Sequence, residues 1–412
     1  MNKKNIFLWT LYDFANSIAI IVFALYFSQW LVVDRGVSDF WFNMIFSFAS
    51  ILLFLTAPIL GSIADKNGQQ QKYLNWITII SFFVFLIISI ITLFFTHQVF
   101  LAVLFLVLAN YFYQFSFVFY NALLHYIAPP EKWGKVSGIG EAGNLLGEVF
   151  GLLITLPLAS GAVYLFGEAG RAQTFLPATV LFFILALPML LFFKLPKQEL
   201  SNYKINFKEE YKNFWNQFKD LIKSPGMGLF LLAYFFFNDA IVTSQNNFPI
   251  YVERVFGASD GIKSMLLIGI LLTSVVGAFC TGLVADKIGL KRTLSIVLGS
   301  WVVILPLMGI ATSFPVFIGL SILMGFFYGS TFTVSRATMT ALCPKEKLNF
   351  GFSFYTLAER FSTLFGPVAW GLITSGLIGF GPIRYRIAVI SMAVFVVVGI
   401  FLLRKVKISI HK

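Results

Sequence analysis

Charge is what this sequence has least of. Asp, Glu, Lys and Arg make up 12% of its 412 residues, against about 25% in a soluble domain, which excludes an ordinary water-soluble globular chain. Cysteine is nearly absent as well. Cys280 and Cys343 lie in or beside apolar blocks, so no disulfide framework is expected. Histidine is scarce, and His97 and His125 are far apart with no ligand-spaced partners, so neither a metal site nor a histidine base is expected. No small-residue cleavage site follows the first apolar block, 6–33, so no cleavable signal peptide is read there. The string Gly138-Ile-Gly140-Glu-Ala-Gly143 spells a dinucleotide fingerprint, but that motif needs a preceding strand, and here a loop precedes it. No cofactor is expected.

What is present in excess is apolar surface. Hydrophobic residues make up 58% of the chain, and they fall in blocks of roughly 20 to 28 residues, the length that satisfies its own backbone across a bilayer. Spans are expected at 6–33, 42–63, 73–95, 99–127, 135–158, 174–195, 226–252, 262–285, 293–312, 315–342, 349–375 and 384–404. The fold class expected is therefore an all-α membrane protein with 12 transmembrane helices. Residues 1–195 form one six-helix half, 196–225 a linker, and 226–412 a second half related to the first by pseudo-two-fold symmetry. Of the 30 Lys and Arg residues, 22 fall in loops on the side of the N-terminus, including seven lysines from Lys194 to Lys223, and 6 on the other side. The positive-inside bias then places both termini and the linker in the cytoplasm of a cell (inner) membrane. The formal charge of +12 is thus a membrane-topology signal, and no nucleic-acid partner is expected. Within the linker Tyr203, Phe207, Tyr211, Phe214 and Phe218 recur at helical spacing among Lys204, Lys208, Lys212 and Lys219, the pattern of an amphipathic helix on the membrane surface.

The halves echo each other. Gly61-Ser-Ile-Ala-Asp65-Lys66-Asn-Gly68 ends the second span, and Gly282-Leu-Val-Ala-Asp286-Lys287-Ile-Gly289 ends the eighth, each followed by basic residues (Lys72; Lys291 and Arg292). Asp13 and Asp239, in the first and seventh spans, sit 226 residues apart, close to the 221 that separate Asp65 and Asp286. The first glycine of each loop motif lets two helices approach closely. The aspartate is placed to cap a neighbouring helix N-terminus or to pair with a base. Together they would form a latch favouring one conformation.

This loop pattern resembles the signature of the major facilitator superfamily, and span count, six-plus-six division and orientation agree with it. The resemblance implies a transporter that works by alternating access, with spans one, four, seven and ten lining a cavity and two, five, eight and eleven flanking it. Trp9-Thr-Leu-Tyr12-Asp13-Phe-Ala-Asn16-Ser17, Phe119-Tyr-Asn121-Ala, Ala128-Pro-Pro-Glu-Lys132 and Val136-Ser-Gly138-Ile-Gly140 further resemble the autophagy-linked vacuole effluxer branch. That branch implies amino-acid-like cargo. The sequence departs from it after Gly140, where Glu141 and Glu148 intrude, and at His125 and Tyr126.

Ionisable residues within spans cost about 2.5–3.5 kcal/mol each on insertion scales, so each is a functional candidate. Here they are Asp13, Glu141, Glu148, Asp239, Arg336, Glu359 and Arg360. Five acids against two arginines leave up to three carboxylates without an evident partner, a state that favours carrying a proton. Helical spacing adds neutral companions: Asn16 beside Asp13, the row Asn110, Gln114, Asn121 and His125 on span four, and Asn144 between Glu141 and Glu148 on span five. Gly143, Gly147 and Gly151 form a small-residue stripe suited to close helix contact. Asp239 and Thr243, then Thr333, Arg336 and Thr340, then Thr356, Glu359 and Thr363 share faces of spans seven, ten and eleven. Arg336 is expected to bind a substrate carboxylate or pair with an acid, Glu359 or Glu148 to bind a proton, and Asp13 with Asn16 to gate the cytoplasmic side. The bland alternative is that Glu359 or Asp239 simply neutralises Arg336 or Arg360. The function expected is secondary transport of a small polar solute by a monomer in the lipid bilayer, proton-coupled, with amino-acid efflux as the leading cargo. The alternatives are a facilitator or exporter of a sugar or drug-like solute, a polytopic membrane enzyme, or a non-transporting receptor. No catalytic constellation is seen, so an enzyme is not expected.

Overall fold

The computed structural model describes residues 3–27, 30–36, 39–166, 170–195, 212, 214–216, 218–220, 226–258, 260–361 and 365–407. Among them every regular element is helical. Helix α1 (Lys3–Val22) continues into π-helical turns at Phe23–Phe27. It is followed by α2 (Asp39–Asn67), α3 (Gln70–Phe94), α4 (Val99–Ala122), α5 (Trp133–Ala159) and α6 (Phe175–Phe192). Beyond the linker come α7 (Met227–Asn246), α8 (Asp260–Ile288), α9 (Leu290–Ile310), α10 (Phe314–Leu342), α11 (Leu348–Phe361), α12 (Phe365–Gly376) and α13 (Ile383–Lys405). Ten segments among the described residues are long and apolar enough to cross a membrane. Helix α2 and the pair α11–α12 fall at the two remaining expected positions, 42–63 and 349–375.

The chain divides into two compact units. The first holds Met1–Ala128, Gly143–Glu210 and Lys345–Ser353; the second holds Pro129–Ala142, Tyr211–Pro344 and Phe354–Lys412. Each has the same internal plan. In the first unit α1 packs on α6, α3 on α4 and α6, and α2 on α4. In the second α7 packs on α13, α9 on α10 and α13, and α8 on α10. Each of these pairings is matched six spans later, so the echo between the loop motifs extends to helix packing.

Glycine sets how closely these helices meet. Gly143, Gly147 and Gly151 on α5 face Thr10, Phe14 and Ile18 on α1, each four residues on from the last. A Cβ on Gly147 would lie 2.2 Å from the Phe14 carbonyl oxygen. The second unit uses the same device between α8 and α10, where a Cβ on Gly277 or Gly329 would meet the carbonyl of Phe326 or Ser274 at 1.9 and 2.1 Å. Lipid offers no hydrophobic drive between helices, so van der Waals contact at small residues carries their association.

In the linker the described residues show Phe214 buried and stacked against Phe218 and against Phe354 of α11, centroids 6.1 and 6.0 Å away, while Trp215, Lys212 and Lys219 are exposed. Tyr203, Lys204, Phe207, Lys208 and Tyr211 lie outside the described residues.

Candidate functional site

The two loop motifs act first as helix caps. Asp65 accepts the backbone N–H groups of Asn349 and Phe350 at 3.1 and 3.0 Å, and the Asn349 side-chain amide at 2.6 Å, at the first turn of α11. Asp286 accepts the N–H groups of Gly134 and Lys135 at 2.8 and 2.9 Å, at the first turn of α5. Both carboxylates satisfy amides that no helical carbonyl reaches and sit at the positive end of a helix dipole. The leading glycines make room. A Cβ on Gly61 would lie 2.9 Å from the Asn349 carbonyl, and one on Gly282 would lie 2.5 Å from that of Gly134. Gly68 and Gly289 close the loops with φ of 62° and 91°, a region glycine enters freely. Lys66 is half-buried, whereas Lys287 and Arg292 stand exposed. Removing a cap of this kind costs about 0.5–2 kcal/mol. Asp65→Ala and Asp286→Ala are each expected to lower the thermal midpoint in detergent, with the Asn variants in between. Equal midpoints for all four would remove the capping role.

Within the first unit Asp13 is fully buried on α1. Its carboxylate accepts the Tyr120 hydroxyl at 2.9 Å and the Asn144 amide at 2.8 Å. Tyr120 is pinned in turn, its ring stacked 4.6 Å from Trp9, whose indole N–H donates to the Tyr120 carbonyl at 3.0 Å. Tyr12 shares a hydrogen bond with Thr78 at 2.9 Å. Asn16, Asn110, Gln114 and Asn121 are buried. Asn110 donates to the Leu106 carbonyl of its own helix. The Asn16 amide nitrogen, the Gln114 carbonyl oxygen and the Asn121 carbonyl oxygen have no partner among the described residues. Buried polar groups normally find one, from protein or from water, so these three mark the polar part of the unit. Glu148 is half-buried on α5.

Within the second unit four helices each carry a charged or acidic group: Glu141, Asp239, Arg336 and Glu359. Arg336 on α10 pairs with Glu141 of α5 at 2.8 Å, both side chains under a tenth exposed. One helical turn before Glu141, Ser137 donates to the Thr333 carbonyl at 2.8 Å. Glu359 on α11 is half-buried and accepts the Tyr234 hydroxyl of α7 at 3.4 Å. Tyr355 stacks on Tyr234 with centroids 4.4 Å apart and lies within electrostatic reach of Glu359, Arg336 and Glu141. Asp239 is buried and accepts the Gly366 N–H at 2.6 Å. The Thr333 and Thr356 hydroxyls are buried with no partner among the described residues. The Arg360 side chain and Thr363 lie outside the described residues. No cluster of metal-ligand type is found among the described residues.

Arg336 pairs with an acid, as expected, and that acid is Glu141 of span five, which the bland alternative did not name. Asp13, Glu141, Asp239 and Glu359 each receive a hydrogen bond, while the second oxygen of Asp239 is buried with no partner among the described residues. Hydroxyls, amides and a backbone N–H do what a count of cations missed. Tyr120, Tyr234, Asn238 and Tyr355 were not singled out from the sequence. A signal existed for three of them: Tyr234 and Asn238, like Tyr355 and Glu359, are four apart and share a helix face.

The fold is found in solved transporters. The human organic anion transporter MFSD10 (TETRAN) superposes with a TM-score of 0.76 at 14% identity, covering 97% of this chain and 99% of that one. FucP, in the outward conformation, superposes at 0.77 and 14%, covering 97% of both chains. The protein is thus a polytopic membrane protein of the major facilitator fold. Residues 130–411 match the family described as Vacuole effluxer Atg22 like, and the chain belongs to that family. The MFS-type transporter YxiO of Bacillus subtilis (strain 168) is 25% identical over 96% of this chain and 93% of its own length. Autophagy-related protein 22 of Yarrowia lipolytica is 23% identical over 47% of this chain and 34% of its own length.

Proposed function

We propose that this MFS-type transporter is a proton-coupled carrier of a small solute bearing a carboxylate, with amino-acid efflux as its physiological direction. It crosses a cell (inner) membrane twelve times as a monomer, α2 and the α11–α12 pair supplying the two crossings beyond the ten apolar segments, and both termini are cytoplasmic. The observation that carries the reading is the Arg336–Glu141 pair, held at 2.8 Å inside an apolar unit and sharing with Glu359 an electrostatic influence on Tyr355. A guanidinium is a planar double donor suited to a carboxylate, and a solute carboxylate competes with Glu141 for it. Glu359, half-buried and hydrogen-bonded to a phenol, is the proton carrier. Charged groups at bilayer depth are costly unless used or paired, and this cluster offers both a cation for the solute and a carboxylate for the proton. Asp65 and Asp286, as caps on α11 and α5, are the latch that biases one conformation of the cycle. The family's effluxer description supports the direction of transport.

The test is flux in proteoliposomes, screening amino acids with and without a pH gradient. Flux of at least one amino acid should respond to the gradient, and Glu359→Gln should abolish the response while leaving binding measurable. Amino-acid flux indifferent to the gradient would remove the coupling proton. Flux of only sugars or drug-like solutes would remove the cargo assignment.

A further inference from the structure

Asp239 and its neighbour Asn238 do something the transport reading does not use. Both reach from α7 to the backbone of the eleventh span. The Asn238 side-chain amide donates to the Glu359 carbonyl at 3.3 Å. The Asp239 carboxylate accepts the Gly366 N–H at 2.6 Å. One grip falls in α11 and the other at the start of α12, seven residues on. Tyr234, one turn earlier on α7, meets the Glu359 carboxylate itself. Asp239 and Asn238 are both fully buried. Gly366 is fitted to the contact: a Cβ there would lie 2.3 Å from the Thr243 hydroxyl and 2.7 Å from the Asp239 carboxylate. The first four amides of a helix have no acceptor within it. The Gly366 amide, in the first turn of α12, goes to a side chain of another helix. At membrane depth a backbone group outside the helical ladder must be satisfied by neighbouring protein.

We infer that Asn238 and Asp239 form a backbone clamp that positions Glu359, and that Asp239 is a positioning residue, not a solute or proton ligand. The inference rests on the reading of Glu359 as proton carrier. What Asp239 supplies is an acceptor oxygen aimed at one amide. An asparagine supplies the same oxygen without the charge, and an alanine supplies neither. That distinction separates a clamp from a titrating site.

The readout is covalent labelling of Glu359 by dicyclohexylcarbodiimide, which attacks protonated carboxyls in apolar surroundings, followed across pH by peptide mass spectrometry on the full-length protein. In the native protein Glu359 should label with a sigmoidal pH profile. Asp239→Asn should reproduce that profile within twofold. Asp239→Ala and Gly366→Ala should each change the labelling rate at fixed pH by fivefold or more, because Glu359 is then no longer held against Tyr234. Should Asp239→Ala fail to yield monodisperse protein, Asn238→Ala tests the other grip and should give the same change. An unchanged profile in the alanine variants overturns the clamp. An Asp239→Asn profile as altered as that of Asp239→Ala also overturns it, since charge would then be what matters. Absence of Glu359 labelling in the native protein at every pH instead overturns the proton-carrier reading.

Discussion

Arg336→Ala is expected to abolish transport and to destabilise the protein by about 3–5 kcal/mol, the cost of leaving one member of a buried ion pair alone. Glu141 would remain in an apolar unit, under a tenth exposed and without its partner at 2.8 Å. The single variant does not separate a binding role from a structural one, since unfolding also stops transport. The double variant Arg336→Met with Glu141→Leu does. Replacing both charges with apolar groups of similar volume is often neutral or stabilising by about 1–4 kcal/mol. The double variant should therefore regain the thermal stability of the native protein in detergent while remaining unable to move solute in proteoliposomes. If it regains transport as well, the pair serves only the fold, and the proposed carboxylate site is lost with it.

Gly147→Val is expected to prevent the first unit from assembling, seen as loss of monodisperse protein on size-exclusion chromatography. A Cβ at this position would lie 2.2 Å from the Phe14 carbonyl oxygen and 2.9 Å from its carbonyl carbon. Those are backbone atoms of α1 and have no rotamer to yield. Overpacking costs about 1–3 kcal/mol where side chains can adjust, and here the strain must move a whole helix that also carries Asp13. Gly143→Ala should be milder, because its nearest obstacle at 2.6 Å is the Thr10 methyl group, the end of a side chain. Gly371→Val, on α12 with no atom within 4 Å, is the control and should leave yield and midpoint unchanged. A Gly147→Val protein as stable as this control would show that α1 and α5 do not depend on close approach.

The spans were legible because crossing a bilayer imposes a length and an apolarity that few other structures share. The loop aspartates were legible as helix caps because a repeated motif at the end of two helices narrows what its carboxylates can reach. The glycine stripe at 143, 147 and 151 was readable from spacing alone, and its contacts with Thr10, Phe14 and Ile18 keep the same spacing. Partner choice was not readable. Arg336 and Glu141 are 195 residues apart, and nothing local marks Glu141 as an acid that α10 meets. A balance of acids against cations leaves out the donors Tyr120, Asn144, Tyr234 and the Gly366 amide. In low dielectric a neutral donor is a strong partner for a carboxylate, and sequence carries no mark of which tyrosine will be near. Gly277 and Gly329 escaped notice for a similar reason: their significance lies in the carbonyls opposite them.

The allocation of segments to the two units bears on biogenesis. Residues 129–142 are made with the first half but pack with the second, and residues 345–353 are made near the end yet pack with the first. Severing the chain in the linker would therefore yield two fragments, each missing a strip of its own interior and carrying one that belongs elsewhere. During synthesis the earlier half reaches its finished packing only after the ribosome has passed residue 353, which makes completion of the protein a single late event shared by both halves.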